Sequence, residues 1–255
     1  MFYDRLRRSP TVNPILAFMA CLGLLISVGL SADAAGNEIA ARAAPQSQPA
    51  PLRNARILAL GDSMIAWHSV SKNSIADALA ESLGEPVENR AIGGARVIYG
   101  LPVTGAMGMK ISKQYRGDDV DWVVINGGGN DLWLGCGCGA CDRKMARMIS
   151  LGGKTGEIPK LVQSIRKTGA RIIYLGYLRS PGVDSVIDAC GALGDEFETR
   201  LSRMAAEIEG VYFLDVSDLV PSGDRSFHGV DMIHPSRKAS RIIGQKLAHI
   251  IQAYD

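Results

Sequence analysis

The stretch Arg56-Ile-Leu-Ala-Leu-Gly-Asp-Ser-Met-Ile-Ala-Trp67 sets the tightest limit on what this chain can fold into. Its apolar run, Ile57 to Leu60, is short enough to be a strand buried on both faces. Gly61 permits a sharp turn, and Asp62 and Ser63 are left at the strand's carboxyl end. In open α/β sheets that end is where ligands bind and chemistry is done. A serine there becomes a nucleophile only when a base and an anion-stabilising pocket meet it. Both must come from elsewhere in the chain.

Downstream, strand-like and helix-like segments alternate. Ser74-Ile-Ala-Asp77 reads as a capping box with Asp in the place of the usual Glu, and Ile75, Leu79 and Leu83 follow at helical spacing up to Gly84. Val87 to Ala91 predicts a second strand, running into Gly93-Gly94. Val120 to Ile125 predicts a third, which breaks at Asn126-Gly-Gly-Gly-Asn-Asp131. Ile158, Leu161, Val162 and Ile165 mark a helix closed by Gly169, before a fourth strand, Arg171 to Leu175. Phe197, Leu201, Met204, Ala205 and Ile208 mark another helix, ended by Gly210, before a fifth strand, Val211 to Leu214. A last helix starts near Ser236 and carries Ile242, Ile243, Leu247, Ile250 and Ile251 on one face. This alternation predicts an α/β fold in one domain, with a central parallel sheet of about five strands covered on both sides.

The first segment reads as a targeting signal. Arg5, Arg7 and Arg8 form a positive region, Ile15 to Leu30 an apolar one, and Ala32-Asp33-Ala34 a small-x-small cleavage site. Residues 1–34 are therefore expected to be a signal peptide, with Cys21 discarded in it. Residues 35–53, rich in Ala, Pro and Gln, are expected to be a flexible linker, and residues 54–255 the folded domain. The alternative is an uncleaved membrane anchor, although the apolar run falls short of the roughly 20 residues a spanning helix needs. The expected location is exported, periplasmic or secreted, with no stable membrane insertion after cleavage. A net charge of +2 and the lack of any Lys/Arg run give no reason to expect a nucleic-acid partner.

In an exported protein, the four cysteines outside the leader favour two disulfides. Cys136 and Cys138 are too close in sequence to bridge each other comfortably. Two pairings remain: Cys136–Cys141 with Cys138–Cys190, or Cys138–Cys141 with Cys136–Cys190. A four-thiolate zinc site is the competing reading, but the usual pair of Cys-x-x-Cys knuckles is missing, so no metal is expected.

The stretch Asp231-Met-Ile-His234-Pro-Ser236 offers a base. A carboxylate three residues before a histidine can orient the imidazole through one ring nitrogen, freeing the other to take a proton from a serine. His68 and His228 read as solvated, and His249, on the polar side of the last helix, has no role.

Together, Gly61-Asp62-Ser63-Met64, Asn89-Arg-Ala-Ile-Gly93-Gly94, Gly128-Gly129-Asn130-Asp131 and Asp231-x-x-His234-Pro-Ser resemble the four blocks of the SGNH (GDSL-type) hydrolases, in order and at fitting strand ends. The resemblance implies a three-layer α/β/α flavodoxin-like sandwich and hydrolysis of a carboxylic ester through an acyl-enzyme, with no cofactor. It implies Ser63 as nucleophile, His234 as general base and Asp231 as its orienter. It also implies an oxyanion hole made by the Ser63 and Gly94 backbone N–H groups and the Asn130 side chain. Asp62 and Asp131 are expected to tie down their loops.

The chain departs from that pattern in two places. Trp67 stands where the family has glycine, and Leu132 to Cys141 is an insertion after Asn130. Trp67, Trp133 and Leu134 could wall an acyl site or be ordinary core. The expected substrate is a small-molecule ester or an acylated carbohydrate or lipid, handled by a monomer. Rival readings are an acyltransferase with a sugar acceptor at the same site and a non-catalytic binding module on the same fold. Nucleotide binding is disfavoured, because no Gly-x-Gly-x-x-Gly follows the first strand.

Overall fold

The computed structural model describes residues 55–182 and 185–255. The expected signal peptide, Cys21 and the linker lie outside the described residues. Five strands, β1 (Ile57–Leu60), β2 (Val87–Asn89), β3 (Trp122–Ile125), β4 (Arg171–Leu175) and β5 (Val211–Leu214), form one sheet in the order β2-β1-β3-β4-β5. Every pairing is parallel, and Leu60 of β1 stands opposite Ile125 of β3. The chain winds outward from β1 to β2, then returns past β1 to β3. The winding therefore reverses between β1 and β3, and the crevice at their carboxyl ends is the natural ligand site of this flavodoxin-like order.

Eight helices accompany the strands among the described residues: α1 (Ser63–Ala66), α2 (Ile75–Leu83), α3 (Pro102–Thr104), α4 (Gly129–Cys136), α5 (Asp142–Met148), α6 (Glu157–Arg166), α7 (Gly191–Glu207) and α8 (Arg237–Tyr254). Because strand side chains alternate in direction, the sheet feeds two cores. Ile57, Ala59, Trp122, Val124, Ile173 and Leu175 pack against Met64, Ile65, Ile75, Leu79, Ile243 and Leu247 of α1, α2 and α8. Leu58, Leu60, Val123, Ile125, Ile172 and Tyr174 pack against Leu132, Met145, Val162, Phe197 and Leu201 of α4 to α7. The result is a three-layer α/β/α sandwich. The Ser74–Asp77 capping box forms reciprocally at the start of α2, and Ser236 caps α8 through the Ala239 N–H at 3.2 Å.

The structure departs from the sequence reading in several places, and β3 begins at Trp122 rather than Val120. β2 stops at Asn89, although Arg90 and Ile92 still donate to the carbonyls of Ala59 and Gly61. α7 starts at Gly191, ahead of its first buried aromatic, Phe197. The insertion after Asn130 is helical as far as Cys136: α4 carries Asn130 itself, the chain turns from Gly137 to Cys141, and α5 follows. Its glycines hide the periodicity, while Leu132 and Met145 gain burial on the sheet. Propensity is a weak prior that such packing overrides.

The cysteines pair as Cys136–Cys141 and Cys138–Cys190. The first bridge joins the end of α4 to Cys141, which precedes α5. The second ties the same turn to Cys190, which precedes α7. With their sulfurs joined, these cysteines present no thiolate set to a metal.

Candidate active site

The turn after β1 is fixed from three sides. Gly61 has φ +150°, and a Cβ there would come within 2.6 Å of the Asn126 carbonyl at the end of β3. The buried Gln114 amide grips it twice: Gly61 N–H donates to Oε1 at 2.7 Å, and Nε2 donates to the Gly61 carbonyl at 2.9 Å. Asp62 then caps α1, accepting the Met64 N–H at 2.9 Å. Its other oxygen accepts the Tyr177 hydroxyl at 2.6 Å, and the Tyr177 oxygen accepts the Gly129 N–H at 2.9 Å. Asp62 thus ties down its turn, as expected, and also links the ends of β1, β3 and β4. Burial pushes its carboxyl above the usual range, against the Tyr177 and Met64 bonds. Burial, then the neighbouring Asp62 charge, pushes the Tyr177 hydroxyl well above its ordinary value. Ser63 follows as the first residue of α1. Among the described residues nothing accepts its N–H.

At the end of β3, Gly128 turns the chain into α4 with φ +112°, where any side chain would run into the Phe197 ring. Asn130, 9% exposed, donates from Nδ2 to the Ala95 carbonyl at 3.1 Å, leaving its second amide hydrogen free. Asp131 accepts the N–H groups of Val97 and Ile98 at 2.8 Å each. It therefore anchors the facing segment after β2 rather than its own. Burial raises its carboxyl to about 6, and those two bonds oppose the rise. Gly94 lies in that facing segment with φ +78°, and its N–H has no acceptor among the described residues. A Cβ built on its neighbour Gly93 would lie 4.0 Å from the Ser63 Cβ.

The loop between β5 and α8 brings the histidine. Asp231 Oδ2 lies 2.6 Å from His234 Nδ1, while Oδ1 accepts the N–H groups of Ile233 and His234 at 3.1 Å. Burial raises the Asp231 carboxyl, but the His234 bond and these two N–H groups outweigh it, so it sits below the usual range. The Trp67 indole lies flat on the His234 ring, with centroids 3.8 Å apart and planes 8° from parallel.

Ser63, Asn130 and His234 line one cavity of about 330 Å³. Gly94 and Asp231 are not among its lining residues. No hydrogen bond joins Ser63 Oγ to His234 among the described residues. Leu178, Phe197, Ile187 and Trp133 give the cavity a largely apolar wall, and Cys190 and Gly191 close one side. Of Trp67, Trp133 and Leu134, read as either an apolar wall or ordinary core, Trp133 alone lines the cavity. Trp67 packs on His234, and Leu134 is half exposed. His228, read as solvated, is buried, and neither of its ring nitrogens has a partner among the described residues. His249 is exposed.

Sequence reasoning missed Gln114, Tyr177 and the pair Arg179–Glu198. Glu198 is 4% exposed; it takes the Tyr177 N–H at 2.6 Å and an Arg179 Nη2 hydrogen at 2.6 Å. No local motif marks these residues. Their partners stand far away along the chain.

The model of the GDSL-like lipase/acylhydrolase family matches residues 59–242. No curated protein matches the chain. Among solved structures, a protein from Slackia heliotrinireducens assigned to the SGNH hydrolases is 22% identical with a TM-score of 0.54, covering 78% of this chain and 100% of that one. The carbohydrate acetylesterase Est24 of Sinorhizobium meliloti is 15% identical with a TM-score of 0.53, over 78% and 99%. The inhibitor-bound aryl esterase of M. smegmatis is 17% identical with a TM-score of 0.56, also over 78% and 99%. At these identities the likeness to solved structures is one of fold.

Proposed function

Because this chain belongs to the GDSL-like lipase/acylhydrolase family, whose members hydrolyse ester bonds, we propose that it is an exported serine esterase working through an acyl-enzyme at Ser63. Ser63 Oγ attacks the ester carbonyl carbon while His234 Nε2 takes the hydroxyl proton. Asp231, bonded to Nδ1, holds the required tautomer and stabilises the imidazolium. The oxyanion is met by the N–H groups of Ser63 and Gly94 and by the free Asn130 amide hydrogen, and loss of one such donor typically costs about 100- to 1000-fold. Collapse breaks the bond to the leaving alcohol, which takes the proton from His234. A water, deprotonated by the same nitrogen, then releases the acid and restores Ser63.

One observation carries this reading: the 2.6 Å contact from Asp231 to His234, with the histidine on the same cavity as Ser63 and Asn130. The two disulfides suit an oxidising compartment and support the export half of the proposal.

The test is a panel of p-nitrophenyl and naphthyl esters and acetylated xylan, run with and without sugar acceptors. Ser63→Ala should lose about 10⁴-fold or more in kcat, and a fluorophosphonate should label Ser63 alone. Unchanged turnover in Ser63→Ala sinks the mechanism. Acylated sugar as the main product would make the protein a transferase, and no turnover of any ester would favour the binding module.

A further inference from the structure

α1 is a single helical turn, yet it carries two residues of the site at its ends. Ser63 opens it, and Trp67 closes it with its N–H bonded to the Ser63 carbonyl at 2.9 Å. Residues four apart on a helix lie on one face. The indole thus rises on the serine's side of the turn and meets the ring of His234, which comes from a loop over 160 residues away in sequence.

The imidazole is held along two directions. Asp231 fixes its Nδ1 edge, and Trp67 covers one face in nearly parallel contact. Together they leave Nε2 as the ring's free nitrogen. A cation within about 6 Å of an indole centroid is drawn to the negative face of the ring, and here the centroids are 3.8 Å apart. The attraction grows only when His234 is protonated, which is the state it reaches as it takes the serine's proton.

We propose that Trp67 is a positioning residue for His234: it sets the plane of the imidazole relative to Ser63 and favours its charged form in the transition state. This rests on the assignment of His234 as the base. Trp67 does not line the cavity, so it acts through the histidine and not through substrate.

The other charged and titratable groups around this ring are Asp231 on its own loop, the buried Asp62 at the start of α1, whose carboxyl feels the His234 charge, His68 edge-on to Trp67, and His228 beyond Asp231. Tyr177 and Arg179 face the same cavity. None of them changes in the variants below.

Trp67→Leu keeps an apolar cover over the ring but removes the aromatic face. It should lower kcat about tenfold with KM within about twofold, and move the acid limb of kcat/KM down by about half a pH unit. Trp67→Phe should recover most of both. Imidazole proton shifts supply a readout independent of turnover. In the wild-type protein the His234 ring protons should lie upfield from the indole ring current, and their titration midpoint should fall in Trp67→Leu. An unmoved limb and midpoint in Trp67→Leu, a raised KM with kcat unchanged, or His234 protons without the upfield shift in the wild type would each overturn the proposal. Retained activity in Ser63→Ala would instead break the catalytic reading and leave the ring contact to be judged by its titration.

Discussion

The turn that carries Ser63 and the loop that carries His234 face one cavity but are fastened differently. The serine turn is held by buried polar groups: Gln114 and Asp62, each 2% exposed, with Tyr177 tying it to the ends of β3 and β4. The histidine loop is largely at the surface. Asp231 and Val230 are exposed, and the loop closes through the Gly229 N–H to the His234 carbonyl at 2.8 Å and through Ser185 Oγ to the Met232 carbonyl at 3.1 Å. The difference suits what each would do in the proposed mechanism. An oxyanion pocket made partly of backbone N–H groups works only if the backbone is fixed, and a displacement of about 1 Å can cost about 100-fold. A general base needs only its ring oriented, which one carboxylate and one stacked indole can supply.

The contrast predicts that changes to the loop cost activity and changes to the turn cost the fold. The largest effect is expected for Asp231→Asn, which keeps the loop's shape but removes the acceptor for Nδ1–H. Turnover should fall about 10⁴-fold with the melting temperature nearly unchanged. A variant keeping a tenth of wild-type turnover would remove Asp231 from the mechanism.

Next comes Gln114→Ala, on the other side. It strands the Gly61 N–H and the Gly108 carbonyl in a buried site and leaves the Gly61 carbonyl with the Ile92 N–H alone. Leaving buried groups unsatisfied costs about 1–3 kcal/mol each, less where water enters, so urea unfolding should show a loss of about 2–4 kcal/mol. Ser185→Ala, which removes a loop bond of ordinary geometry, should lose only about 1 kcal/mol. Equal losses in the two variants would erase the distinction.

The smallest effect is in the pH dependence, where the two regions should respond with opposite sign. Asp131, in α4 beside the serine turn, titrates at about 6 in the fold and near 3.9 when unfolded. A raised carboxylate binds more protons in the folded state, so its contribution is full below about 3.9 and is lost as pH rises through about 6. His228, on the base loop, is held below the free-histidine value by burial, with Asp231 pulling the other way. Its contribution is present above about 6.5 and is lost as pH falls through its lowered value. Carboxyl carbon and imidazole titrations followed by NMR check both. An Asp131 midpoint near 4 or a His228 midpoint at or above 6.5 would reject the respective assignment.

The five strands, the helices α2, α6, α7 and α8 and the blocks around Ser63, Asn130 and His234 were legible because their signals are local. A buried strand announces itself by an apolar run, a turn by its glycine, a helix start by a cap such as Ser74 or Ser236. α4 was not legible as a helix, since Gly129 and Gly135 break its pattern and its reason for forming is the core that buries Leu132. The sequence narrowed the cysteines to two pairings, and only the fold chose between them, by bringing Cys138 to Cys190 across 52 residues. Gln114 and Tyr177 carried no signal at all, because each acts on a partner brought near by the sheet: Gly61 lies 53 residues from Gln114, and Asp62 lies 115 from Tyr177. Trp67 shows the same limit. Its position four residues after Ser63 was plain in the chain, and its bulk marked a departure from the glycine expected there. That it would cover the His234 ring depended on how α1 and the β5–α8 loop dock, and docking is fixed by the packing of distant surfaces rather than by the order of neighbouring residues.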